Sequence, residues 1–183
     1  IINVPTSFAS NLVLIAMSDG PTITSGTVWS FFSFQHDTIS PAGDTGLFAD
    51  YPTLGIDANA LYIGANLFNT SDVYQGVSVY VVRKSSLVSG GPIVVTAFRN
   101  LLDSPTPTGP YTPQGVDNYD PAATTGYIIG ADNNYFGRLT LRRISDPGGT
   151  PSISSNIFLT VPTTSSPKTV PHKGSTGTDL DSL

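Results

Sequence analysis

Apolar and polar residues alternate with a period of two along most of the chain, in short runs bounded by Gly, Pro, Asn and Asp. This pattern is typical of half-buried β-strands, and no segment shows an apolar period of 3.6 residues. Strands are predicted at residues 12–18, 28–34, 61–68, 77–83, 93–98, 126–131, 139–144 and 156–161. The pattern therefore predicts an all-β, almost helix-free fold, which is a sandwich, a barrel or a propeller.

An internal repeat of about 60 residues separates these alternatives. The phrase Tyr51-Pro-Thr-Leu-Gly-Ile-Asp57 precedes Leu61-Tyr-Ile-Gly-Ala-Asn66, and Thr112-Pro-Gln-Gly-Val-Asp117 precedes Gly126-Tyr-Ile-Ile-Gly-Ala-Asp132. A third start lies at Val170-Pro-His-Lys-Gly174. Each unit carries four predicted strands, of which the first lies in the phrase that ends at Asp57 or Asp117. Four antiparallel strands form the blade of a β-propeller.

The repeat divides the chain into one β-propeller segment of about two full blades with half blades on either side. Residues 1–48 are predicted to end one blade, 49–108 and 109–166 to form two blades, and 167–183 to start the next. Such a segment cannot close a ring by itself. We therefore expect the 183 residues to be a fragment of a longer chain.

Composition supports the β assignment and excludes several partners. The chain has no Glu and three Lys, although these residues favour helices, whereas Thr, Val, Ile, Tyr and Phe are plentiful. The net charge of −5 and the absence of a basic cluster argue against nucleic-acid binding. The absence of Cys excludes disulfides, and no apolar run is long enough to predict a membrane span.

Two phrases carry a resemblance to a known family. Ser18-Asp-Gly-Pro-Thr-Ile-Thr-Ser-Gly-Thr-Val-Trp29 resembles a degenerate Asp-box, the Ser-x-Asp-x-Gly-x-x-Trp hairpin of sialidase-like propellers, with the Asp one place early and a longer spacing to Trp. Phe48-Ala-Asp-Tyr-Pro-Thr-Leu-Gly-Ile-Asp57 with the Tyr-Ile-Gly-Ala phrase after it is similar to a phrase in large secreted bacterial propeller proteins. The resemblance implies an extracellular or cell-surface location, with the remaining blades or another protein as partner.

Catalytic machinery is not evident in these residues. A sialidase needs a Tyr activated by Glu, and the chain has no Glu. His36 and His172 are the only histidines, and both are predicted to be surface or turn residues. There is no Gly-x-Ser-x-Gly elbow to indicate a hydrolase nucleophile. The chain is therefore predicted not to be an enzyme on its own.

Calcium is the metal that the loops suit best. Asp117, Asp120 and Asp132 place hard oxygen ligands in predicted loops, as Ca²⁺ requires. The alternative is that these side chains cap turns through hydrogen bonds to their own backbone. No other cofactor is indicated.

The aromatic residues of the predicted strand 28–34 have two possible roles. This strand carries four aromatic residues, Trp29, Phe31, Phe32 and Phe34. One face of the strand is expected to pack in the core; the alternative is that the aromatic rings form a platform for carbohydrate stacking.

The preferred function is a non-catalytic extracellular scaffold that binds glycans or proteins through loops at the blade ends. The alternatives are a structural assembly subunit of a sheath, filament or capsid, and a piece of a glycoside hydrolase whose catalytic residues lie elsewhere.

Overall fold

A computed structural model describes residues 2–5, 11–103, 106–132 and 134–165. The secondary structure is almost entirely β, as the alternation predicts. The elements in chain order are β1 (Ile2–Pro5), β2 (Asn11–Ser18), β3 (Trp29–Gln35), β4 (Phe48–Asp50), β5 (Gly55–Ile56), β6 (Ala60–Phe68), β7 (Tyr74–Arg83), α1 (Lys84–Val88), β8 (Val95–Phe98), β9 (Pro110–Gly115), β10 (Thr125–Asp132), β11 (Arg138–Ser145), β12 (Ser152–Ile153) and β13 (Ile157–Thr160). All eight predicted strands are present within a few residues of their expected bounds.

The strands form three antiparallel sheets in chain order. The first sheet has the order β1-β2-β3. The central sheet has the order β4-β6-β7-β8, with β5 also paired to β6. The third sheet has the order β12-β11-β10-β9, with β13 also paired to β11. Residues 1–48, predicted to supply two strands, contribute all three strands of the first sheet.

The central sheet is buried on both faces. In β6, Leu61 and Ile63 pack in one core with Val13 and Ile15 of the first sheet. Alternate residues of the same strand, such as Tyr62, pack in a second core with residues of the third sheet. Because both faces are covered, β6 and β7 are apolar nearly throughout instead of alternating with polar residues.

Glycines bring β5 and β6 of the central sheet into backbone contact with β9 of the third sheet. A Cβ at Gly64 would overlap the carbonyl oxygen of Pro113, and one at Gly55 would overlap the backbone of Gly115. The Thr53 hydroxyl donates to that same Pro113 carbonyl at 2.5 Å. Only residues without a Cβ allow two backbones to approach so closely.

The predicted blades 49–108 and 109–166 hold the central and third sheets, apart from Phe48 at the start of β4. The boundaries between blades stay a prediction. The predicted start of a further blade at 167–183 lies outside the described residues.

Candidate functional site

A hollow of about 430 Å³ lies between the ends of the central and third sheets. The β5–β6 turn, the start of α1 and the β9–β10 loop supply its walls. We name it the Tyr119 hollow, and its lining residues are Ile56, Asp57, Ala58, Lys84, Asn118, Tyr119, Asp120 and Pro121. Its volume lies in the range of small-molecule sites in proteins.

Asp57 builds the turn on the central-sheet side of the hollow. Its Oδ1 accepts the backbone N–H groups of Asn59 at 2.7 Å and Ala60 at 2.9 Å. Its Oδ2 accepts the Tyr62 hydroxyl at 2.6 Å. Burial, with the Asp57 carboxylate as the second cause, raises the pKa of Tyr62, so this hydroxyl stays a donor. With three donors on its two oxygens, Asp57 is a structural residue of the wall.

The β9–β10 loop forms the opposite wall and is tied to β5. Ile56 donates its N–H to Asp117 Oδ1 at 2.9 Å, and Asn118 donates its N–H to the Ile56 carbonyl at 3.0 Å. Within the loop, Asn118 Oδ1 accepts the Asp120 N–H at 3.0 Å. These bonds hold the loop while the Tyr119 side chain stays 88% exposed at the rim.

Lys84 is the only cationic residue in the lining. Its Nζ donates to the Asp57 carbonyl at 2.9 Å, and its backbone N–H donates to the Asn59 carbonyl at 2.9 Å. An ammonium group has three N–H donors, so two remain for a ligand. The hollow thus offers an exposed aromatic ring, an exposed carboxylate at Asp120 and a positioned ammonium.

A second hollow of about 280 Å³ adjoins the first, between the first and central sheets. We name it the apolar hollow, and its lining residues are Ile15, Ala16, Met17, Leu54, Ile56, Leu61, Lys84, Leu87 and Val88. Ile56 and Lys84 line both hollows. Sequence reasoning missed this site, because its walls come from β2, from residues 54–61 and from α1, which are distant along the chain.

The three Asp predicted to bind calcium are not brought together. Asp117 and Asp120 precede β10, and Asp132 ends it, so about 20 Å of extended strand separates them. Asp132 Oδ2 pairs with Arg138 Nη2 at 2.8 Å and accepts the Thr140 hydroxyl at 3.2 Å. Within the described ranges, no group of three or more His, Cys, Asp or Glu could hold a metal ion. A three-Asp site is therefore not formed, and calcium at Asp117 and Asp120 stays a prediction.

Turn capping, the alternative considered for these residues, is present in part. Asp120 Oδ1 accepts the Ala122 N–H at 2.9 Å, and Asp132 Oδ1 accepts the Asn134 N–H at 2.9 Å. Asp117 instead bonds across the sheets to Ile56.

His36 lies in the turn directly after β3, as predicted, but it is buried, with 1% exposure, and is not a surface residue. Its Nε2–H donates to the Leu47 carbonyl at 3.1 Å, so Nδ1 accepts the Tyr80 hydroxyl at 3.2 Å. Burial lowers the pKa of His36, against a smaller opposing effect from Asp37. The ring is a neutral core group. His172 lies outside the described residues.

The aromatic strand β3 divides its residues between two environments. Phe34 is buried in the core with Phe32 against it, as core packing predicts. Trp29 and Phe31 point to the other face and are 40% and 77% exposed.

A second exposed aromatic group, not singled out from sequence, lies at the far end of the third sheet. There the Arg138 guanidinium sits 3.9 Å from the Tyr135 ring centroid and 4.0 Å from that of Phe158.

Comparison with protein-family models, with curated proteins and with solved structures finds no match to this chain. The fold and the two hollows define the class of this protein. It is an all-β protein of three stacked antiparallel sheets, with a polar hollow and an apolar hollow at one end. No helix among the described residues is long and apolar enough to cross a membrane.

Proposed function

We propose that this chain is a non-catalytic binding scaffold of the β-propeller type, acting outside the cell. The observation that carries the proposal is the stacking of the three sheets. The central sheet is covered on both faces, and the cores on its two sides use alternate residues of β6 and β7. A stack of repeated sheets that cover one another is how blades build a propeller.

The spacing between the central and third sheets, which is narrow on one side and wider on the other, supports the same proposal. Where β5 and β6 meet β9, Gly55, Gly64 and Gly115 leave no side chain between the backbones. Farther out, Val79 and Ile144 occupy the space between the sheets. Sheets that touch at one edge and separate toward the other splay like blades around an axis.

Both outer faces of the stack favour further sheets beyond these three. On the first sheet, Ala16 pairs with Phe31 and Ser18 with Trp29, on the face turned away from the core. On the third sheet, Ile129 pairs with Leu141, which also pairs with Ile157. Apolar faces of this kind need covering in water. In a propeller, the neighbouring blades would cover them.

Electron microscopy of the native protein tests the architecture. We expect ring-shaped particles with a central channel, built from the longer chain or from several chains. A sheet stack without ring closure would overturn the propeller part of the proposal and leave only the all-β scaffold.

The Tyr119 hollow is the proposed binding site, and a neutral carbohydrate is its proposed ligand. A sugar ring presents an apolar face that stacks on an exposed aromatic ring, and hydroxyls that bond to carboxylate, amide and ammonium groups. Tyr119, Asp120, Asn118 and Lys84 provide these groups around one hollow. Because Asp57 is buried and both of its carboxylate oxygens accept hydrogen bonds within the protein, it is not expected to contact the ligand.

A panel of neutral oligosaccharides, built from hexoses and N-acetylhexosamines, tests this site. We expect Tyr119→Ala to weaken the binding of any ligand found by at least about tenfold. Tyr135→Ala is the matched control, because Tyr135 is also an exposed aromatic, at 50%, and lies outside the hollow. Equal affinity of both variants would place the ligand elsewhere, and a panel without any binder would remove the carbohydrate proposal.

The outer faces also favour a second candidate, a structural assembly subunit. In that case the apolar faces of Phe31 and Leu141 would be covered by other copies of the chain. Sedimentation at increasing protein concentration distinguishes the candidates. Regular growth into filaments or shells supports assembly, and a constant closed size supports the propeller.

A further inference from the structure

The apolar hollow has the chemistry of a ligand site. Its floor is formed by Ile15, Leu61 and Leu87, which are 5%, 7% and 2% exposed. Its rim carries Leu54 and Val88, which are 49% and 68% exposed. Eight of the nine lining residues are apolar. Exposed aliphatic side chains around an apolar hollow are typical of a site that is covered when a ligand binds.

Lys84 determines which charge a ligand of the apolar hollow is expected to carry. It is the single charged residue of the lining. Its Nζ is held at 2.9 Å from the Asp57 carbonyl, a neutral acceptor, so the positive charge is not paired there. A cation beside an apolar surface attracts an anion more strongly than one in open water does. An occupant with one negative charge next to an apolar body matches this lining.

We propose that the apolar hollow binds a small aliphatic carboxylate, with its chain in the hollow and its carboxylate on Lys84 Nζ. A volume of about 280 Å³, at about 30 Å³ for each water-sized group, holds about nine non-hydrogen atoms. Octanoate, with ten, is of this size when its carboxylate lies at the mouth. The proposal goes beyond carbohydrate binding, since this hollow lies in the gap between the first and central sheets and needs no ring closure.

Calorimetric titration of the full chain at neutral pH tests the proposal with three probes of equal chain length. We expect octanoate to bind with a dissociation constant of about 1 mM or tighter, as befits a ligand of ten atoms. Octylammonium should bind at least about tenfold more weakly, with octan-1-ol in between. Equal binding of all three would show an apolar contact without charge recognition and would overturn the proposal, as would no binding.

Two pairs of variants locate the bound molecule. Lys84→Met should remove the preference for octanoate, and Lys84→Arg should retain it. Val88→Trp should fill the mouth and weaken octanoate by at least about tenfold, whereas Val94→Trp should not. Val94 is also an exposed valine, at 40%, but does not line the hollow.

Thermal unfolding of each variant shows that it is folded. If Lys84→Met and Val88→Trp bind octanoate like the parent chain, the carboxylate site is not in this hollow. Because the titration contains no carbohydrate and does not use Tyr119, its failure leaves the carbohydrate proposal standing.

Discussion

At the scale of single residues, identical motif residues have different roles in the two repeats. Asp57 and Asp117 occupy the same place in the Gly-x-Asp phrase. Asp57 caps its own turn through the amides of Asn59 and Ala60. Asp117 bonds to the Ile56 amide of the neighbouring sheet. The motif predicts a turn in both places, but the neighbouring sheet decides which amide each carboxylate meets.

Gly64 shows how much a single Cβ matters at the contact between sheets. We expect Gly64→Ala to destabilise the fold by about 2–3 kcal/mol, because the added Cβ would overlap the Pro113 carbonyl oxygen and force the backbones apart. Gly20→Ala is the control, since no atom lies within 4 Å of a Cβ placed there. Urea unfolding of both variants measures the effect, and similar stabilities would contradict the close approach of the two sheets.

His36 should make stability depend on pH. Its folded pKa lies below the ordinary value of 6.5, so the unfolded chain binds the proton more readily than the folded one. The stability contributed by the neutral ring is therefore present above pH 6.5 and is lost as pH falls toward the folded pKa. Urea unfolding at several values between pH 7.5 and about 5 should show this decline. The variant His36→Gln cannot be protonated, so it should be less stable, but its free energy of unfolding should change less over that pH range. An unchanged dependence on pH would exclude His36 as the cause of the decline.

At the scale of elements, buried arginines hold the connections between strands. Arg99, just after β8, donates to the carbonyls of His36, Ile39 and Pro41 at 2.7–3.0 Å and pairs with Asp44 at 2.5 Å. These bonds tie the β3–β4 connection to the central sheet. A planar guanidinium with five donors can satisfy several carbonyl groups of an irregular loop at once.

Removing Arg99 should therefore loosen one defined segment. We expect Arg99→Ala to cost about 3–5 kcal/mol, since Asp44 would be left as a buried, unpaired charge. Hydrogen exchange should accelerate most in residues 36–47. The control is Arg143→Ala, because Arg143 is an exposed strand residue and its loss should change stability by less than about 0.5 kcal/mol. Uniform acceleration over the whole chain would argue against a local role.

At the scale of the whole molecule, three sheets in one stack leave two apolar outer faces. Trp29, the only tryptophan, lies on one of them and is 40% exposed. Its fluorescence therefore reports whether that face is covered. A further blade of the same chain and a second copy of the chain would both shield the ring from water. Only shielding by a second copy depends on the protein concentration, so this dependence distinguishes the two cases.

Phe31→Lys tests whether the outer face of the first sheet drives association. Phe31 is 77% exposed and pairs across the strands with Ala16, so a charge there should not disturb the core. We expect the variant to remain folded, to associate less and to lose any concentration-dependent shielding of Trp29. Sedimentation velocity and acrylamide quenching measure both effects. Tyr135→Lys, at the far end of the third sheet, is the control, and equal association of the two variants would contradict a role for this face.

Much of the architecture was predictable from local pattern. Period-two alternation predicts the strands because side chains on a pleated strand point to opposite faces. The scarcity of helix-favouring residues predicts the near absence of helix, and the repeat predicts the two similar sheets. The short strands β1, β4 and β12 were not predicted, since two to four residues carry too little periodic signal.

The candidate site was not predictable to the same degree. The sequence by itself determined the low charge, the longer strands and the turn-forming Asp and Asn residues, because strands and turns of this kind follow from interactions between near neighbours in the chain. Only the tertiary structure decided that Asp132 pairs with Arg138, that His36 is buried, and that Lys84 stands between two hollows. These outcomes depend on which sheet faces which, and that is set by packing between residues far apart in sequence.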